Sequence, residues 1–164
     1  MFKVGVLTLA YYLSGEVEEN NAFLGWLNNK DKNTLDLHHV EGIFLDPNTS
    51  MPATAADLVT LDKNQVIAID MVSPDGQRAI SVSGRAELAV FYTQRFIIQA
   101  NLHPTGDMPI NRIPDVVKSN FVPVTQAQLH PLLPTRKLPS LESAVMILNW
   151  RYIDFYHSQS IKGA

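Results

Sequence analysis

Asn33-Thr34-Leu35-Asp36-Leu37-His38-His39-Val40 opens a segment that recurs in the second half of the chain. Asn33 to Ile69 aligns without a gap on Asn120 to Tyr156, at a spacing of 87 residues (120 − 33). Asn33/Asn120, Pro47/Pro134, Pro52/Pro139 and Leu61/Leu148 are identical pairs. Leu35/Val122, Leu37/Val124, Leu58/Val145 and Val66/Ile153 keep apolar residues at strand spacing. Upstream, Val4-x-Val6-x-Thr8-x-x-Tyr11-x-Leu13-x-Gly15-x-Val17 is matched by Ala89-x-Phe91-x-Thr93-x-x-Phe96-x-Ile98-x-Ala100-x-Leu102, at a spacing of 85 (93 − 8). Self-similarity at a fixed period points to a repeated supersecondary unit. The expectation is two diverged copies of one strand-rich unit, at 1–72 and 86–164.

Period-2 alternation gives both copies one order of elements. In the first, strands at Val4 to Leu9 and Tyr11 to Glu18 form a hairpin, and Ala22 to Asn28 suits a short helical turn. A strand at Thr34 to Val40 follows, then a Pro/Asn/Thr/Ser loop from Asp46 to Ala55, which cannot sit in a central strand. Strands at Asp57 to Leu61 and Gln65 to Val72 close the unit around an Asp62-Lys63-Asn64 turn. The second copy places its helical turn at Arg112 to Val117, and its last strands at Ala144 to Leu148 and Tyr152 to His157. Between the copies, 73–85 reads as a connecting hairpin, with Pro74-Asp75-Gly76 as its turn.

Composition narrows the function. The 164 residues are 46% hydrophobic and 18% charged, as in a folded globular protein. The formal net charge of −3 withholds the positive field that general nucleic-acid binding needs. The absence of cysteine removes disulfides, thiolate nucleophiles and Cys-ligated zinc, and suits a reducing cytoplasm. Met1 to Leu7 reads as a strand rather than a signal peptide. No stretch approaches the roughly 20 apolar residues of a membrane span, so a soluble protein without membrane contact is expected.

Two family resemblances concern the fold. Arg112-Ile113-Pro114-Asp115-Val116-Val117 followed by Phe121-Val122-Pro123-Val124-Thr125-Gln126-Ala127 resembles a small uncharacterised bacterial β domain, whose members carry Arg-Leu-Ser-Asp-x-Leu-Asn and then Phe-Ile-x-Leu-x-Asp-Ala. The first copy keeps Trp26-Leu27-Asn28 and Leu35-x-Leu37 of that pattern. The strand order and the Val4-x-Val6…Gly15-x-Val17 spacing look like the Sm-like barrel, a likeness that implies ring assembly or RNA binding. The position of its basic Arg-Gly loop is held by Asp62-Lys63-Asn64 and Asn149-Trp150-Arg151. The barrel is therefore carried over and the RNA site is not.

A third resemblance concerns a cofactor. Val66-Ile67-Ala68-Ile69-Asp70, Pro74-Asp75-Gly76 and Ile80 to Leu88 are similar to a central hairpin of flavin-binding split barrels of the pyridoxamine-oxidase kind, which would imply a small-ligand or flavin site. Nothing before residue 57 supplies the strand pair that family uses to hold flavin.

No nucleophile elbow, phosphate loop or cyclic-dinucleotide motif is present. Asp36 and His38 would share a strand face while His39 takes the other, which falls short of the three or four ligands zinc takes. His103 and His130 precede prolines in expected turns, and His157 lies near the C-terminus. Glu16, Glu18 and Glu19 read as a solvated hairpin end. Aromatic residues mark the candidate interface or cleft: Trp26, Trp150, Tyr11 and Tyr92, with Arg112 beside them. The sequence thus predicts a mainly β protein of two small barrel-like, Sm-like units in pseudo-two-fold arrangement, each with one helical turn. It predicts a non-enzymatic interaction or assembly module without cofactor or metal, which binds a protein partner or itself.

Overall fold

The computed structural model describes residues 1–159. The chain is mainly β, with ten strands and three short helices among the described residues. In chain order these are β1 (Phe2–Leu7), β2 (Tyr11–Val17), α1 (Phe23–Leu27), β3 (Thr34–Phe44), β4 (Ala53–Asp62), β5 (Ala68–Met71) and α2 (Pro74–Arg78). There follow β6 (Glu87–Tyr92), β7 (Phe96–Leu102), α3 (Ile113–Val116), β8 (Phe121–Pro131), β9 (Glu142–Asn149) and β10 (Phe155–Ser158). All neighbouring strands are antiparallel, and they form one sheet in the order β10-β6-β7-β8-β9-β5-β1-β2-β3-β4. No helix among the described residues is long and apolar enough to cross a membrane.

The local devices that shape the strands recur along the chain. Thr8 Oγ1 accepts from the Tyr11 amide at 3.0 Å, and Thr93 Oγ1 accepts from the Phe96 amide at 2.9 Å, closing the two hairpin turns. The register of β2 on β3 shifts between Ser14 and Glu16, and that of β7 on β8 between Gln99 and Asn101. His39 (φ +49°) and Gln126 (φ +50°) take the left-handed conformation opposite those shifts. Such bulges add twist and bend a strand. Asp62 and Asn149 each accept from the amide two residues on, at 2.9 and 3.1 Å, to start the 3-10 turns Lys63–Gln65 and Trp150–Tyr152.

The core sits in two clusters, and each borrows from the other end of the chain. Phe121 and Ile147 pack with Phe23, Leu27, Ile69 and Met71. Leu7, Tyr12, Leu45 and Ile67 pack with Phe91, Phe96, Ile98 and Leu129. α1 follows from its sequence: Asn20 accepts from the Ala22 amide at 2.8 Å, and Phe23 and Leu27, four residues apart, bury one face.

The segment expected as a connecting hairpin opens instead with a helix, over Pro74–Arg78. Ser73 is extended (φ −79°, ψ 143°), and Pro74 takes the first helical position, where its missing N–H costs nothing. Asp75 and Arg78 suit the two ends of the helix dipole. Gly76 serves by its size, because a Cβ there would stand 3.0 Å from Met71 Cε and 3.3 Å from Phe2 Cβ. Ser81 to Ala86 carries no strand, so the hairpin on which the flavin-barrel likeness rested does not form. The two halves of the chain join edge to edge instead, through β5 and β9.

Candidate interaction site

β5 bonds β1 on one side and β9 on the other, which makes the β5–β9 seam the place where the N-terminal five strands meet the C-terminal five. Ala68, Ile69 and Asp70 stand opposite Leu148, Ile147 and Met146. Asn149, buried at 2% exposure, closes the seam: its backbone amide donates to the Ile67 carbonyl at 2.8 Å and its Nδ2 to the Val66 carbonyl at 2.8 Å. At the next turn, Arg151 donates to Asn64 Oδ1 at 3.0 Å and Tyr152 Oη to the Asn64 carbonyl at 2.5 Å.

Two further clamps flank the seam. Asn28 pairs with the Phe121 backbone in both directions, donating to its carbonyl at 3.0 Å and accepting from its amide at 2.9 Å. Arg136 spreads its guanidinium over the carbonyls of Phe44, Pro47 and Thr49, at 3.3, 3.2 and 2.5 Å. The planar five-donor fork of arginine suits this gathering of a loop.

Within the seam, Ser143 Oγ donates to Asp70 Oδ1 at 2.5 Å. Burial pushes the Asp70 carboxyl above its usual range, and the Ser143 hydroxyl pulls partly the other way. Tyr12 lies nearby, its phenol pushed up to about 12 by burial and then by the charge of Asp70. Both effects disfavour the charged form of the group concerned.

Among the described residues, β10 and β4 end the sheet with no strand on their outer sides. On β4 the Lys63 amide, just past the strand, bonds inward to the Asn33 carbonyl at 2.8 Å. Strand alternation then turns the amides of Leu58, Thr60 and Asp62 outward. Ala53 to Leu58 are all exposed, Leu58 at 54%. On β10, Phe155 is 58% exposed and stacks on Tyr92 at 4.2 Å. Beside β10 runs an open groove of about 650 Å³, lined by Ile110, Pro114, Asp115, Tyr156 and His157. The place corresponding to this groove at the other end of the repeat spacing, between β5 and α1, is filled by Phe121 and Ile147.

The five residues singled out from sequence do not converge. Trp26, half-buried, stacks on Phe23 at 5.8 Å and lines a groove of about 370 Å³ with Glu18, Asp36, His38 and Leu58. Trp150 meets Phe91 and Tyr156 edge-on and belongs to the core packing. Tyr11 is exposed against Phe44 at 5.2 Å. Tyr92 lies next to the β10 edge, and Arg112 is exposed with Asp115 3.8 Å away. Leu58, Asn149 and Arg136 were not singled out as site residues from the sequence. One signal was available, because Ala53-Thr54-Ala55-Ala56-Asp57 is too poor in large apolar residues for a covered strand. Compared with protein-family models, curated proteins and solved structures, the chain matches none.

Proposed function

We propose that the chain is a diverged internal duplication working as a non-enzymatic assembly module, in which the β10 edge of one copy pairs with the β4 edge of the next. The observation that carries this reading is the β5–β9 seam. β5 and β9 are covered by each other, while the strands 87 residues away from them, β10 and β4, have no partner on their outer sides among the described residues. An unpaired edge is a template for another strand.

Moving the seam by the repeat spacing gives the register. Phe155 stands opposite Leu61, Tyr156 opposite Thr60, and His157 opposite Val59 of the neighbouring copy. The Arg151–Asn64 pairing is reproduced between copies, because those two positions correspond to each other. Two replacements weaken this contact relative to the seam within the chain. Thr60 stands where Ile147 stands in β9, and Asp62 stands where Asn149 does. The association is therefore reversible and concentration-dependent. Its two faces differ, so growth is head-to-tail and ends in a ring or a filament.

Sedimentation velocity from about 1 to 300 μM, the range in which a weak interface fills, tests the reading. Mass rising in whole multiples of the chain supports it; a monomer throughout overturns it.

A further inference from the structure

Independently of the strand edges, we propose that the groove between α1, the Lys63–Gln65 turn and the Lys118 to Phe121 segment binds a small phosphate-type polyanion of about the size of pyrophosphate. The chain as a whole carries a formal charge of −3. Yet this groove is lined by Lys30, Lys32, Lys63 and Lys118, by asparagine side chains, and by no carboxylate.

Lys63 is the element that makes it a built site. It is 6% exposed, and its ammonium donates to the Leu27 and Asn29 carbonyls at 2.9 and 3.0 Å, with the Trp26 ring 5.5 Å away. These partners orient the charge without neutralising it. Among the described residues, none of the four ammonium groups lies within 4.0 Å of a carboxylate. A buried cation lacking a counter-ion is costly. Its pKa is accordingly lowered, by burial first and then by Lys32. A bound anion would relieve both effects.

The walls are fixed. Asn28 and Phe121 hold the two sides together through the paired bonds described above. Lys118 extends from the second side, its ammonium donating to the Asp115 carbonyl at 3.0 Å. The carbonyls of Asn33 and Asn120 are tied to the Lys63 and Trp150 amides, which sets their amide side chains at the rim.

Size and charge select the ligand. The groove measures about 220 Å³. That is below the roughly 300–1,000 Å³ of sites that enclose drug-sized ligands, and it equals the volume of about seven waters. Such a space accommodates a bare pyrophosphate. Four ammonium groups match a compact, multiply charged oxyanion, since lysine recognises phosphate as a point charge. Asp31, Asp62 and Asp115 lie just outside the groove in sequence, so the positive field stays local and does not extend into a track for nucleic acid.

Isothermal titration of the full chain with inorganic pyrophosphate at low salt tests this, with sulfate as the competing simple anion. The expected result is saturable one-to-one binding, at least about tenfold tighter for pyrophosphate than for sulfate and weakening as salt rises. The double variant Lys32→Gln/Lys118→Gln, both exposed positions, should lose at least about tenfold in affinity with an unchanged melting temperature. No saturable binding at millimolar pyrophosphate, equal affinity for sulfate, or full affinity in the double variant would each overturn the proposal.

Discussion

The Asn149 side chain donates to the Val66 carbonyl at 2.8 Å across the seam while its own Oδ1 accepts from the Arg151 amide at 3.1 Å. One group thus starts a turn and ties the two halves of the chain together. Asn149→Asp keeps the acceptor but removes the donor, and it places a carboxylate against a carbonyl in a buried site. A loss of about 2–4 kcal/mol is expected. Urea unfolding measures it, and a loss below about 0.5 kcal/mol would mean that this bond does not hold the seam.

Position 62 supplies the reverse experiment. Asp62 starts its turn through the Asn64 amide at 2.9 Å, as Asn149 does for Arg151, but offers no donor to a facing strand. Asp62→Asn should retain the turn and strengthen association between copies by about tenfold, or ~1.4 kcal/mol. Sedimentation equilibrium of the variant beside the parent chain reads this out. Unchanged or weaker association would argue against the proposed register.

Gly5 and Tyr12 form a second relationship open to test. A Cβ on Gly5 would run into the Tyr12 ring, which lies across the β1 backbone. Gly5→Ala should destabilise by about 1–3 kcal/mol through overpacking. In the background Tyr12→Leu, which vacates that space, the same change should cost at least about 1 kcal/mol less. Additive effects in this double-mutant cycle would show that the two residues do not constrain each other.

Asp70 gives the fold a pH dependence of known sign. Burial raises its pKa in the folded chain above the unfolded value. Its favourable contribution is therefore complete below the ordinary aspartate pKa of about 3.9, and is lost as pH rises through the raised folded value. Asp70→Asn keeps an acceptor for Ser143 and removes the ionisation. The variant should match the parent below about pH 4 and exceed it in stability at neutral pH. Chemical unfolding at both pH values checks this; a parent that is the more stable at neutral pH would mean that ionised Asp70 stabilises the fold.

Much of the strand pattern was legible because apolar alternation at 33–44 and 120–131 is strong, and because local turn chemistry at Thr8, Thr93, Asp62 and Asn149 is written in single residues. The junction was not. Ser73-Pro74-Asp75-Gly76 serves equally as a turn or as a helix start, and packing of Gly76 against Phe2 and Met71 decides between them. The candidate site was hardly legible. Whether a strand is an edge depends on which other strand covers it, a long-range relation that no local pattern encodes. Aromatic residues drew attention to Trp150, which the core absorbs, while the exposed β4 edge is made of small and polar residues that attract none.

Pairing of β10 of one copy with β4 of another is tested by two singly blocked variants. Thr60→Pro removes an outward amide from β4, and Phe155→Lys puts a charge on β10, both of which block edge pairing. Each variant keeps the other edge intact. Sedimentation should find each alone monomeric at concentrations where the parent chain associates, and an equimolar mixture should form a heterodimer of twice the chain mass and nothing larger. A mixture that stays monomeric while the parent chain associates, or either variant associating alone as the parent does, would contradict it.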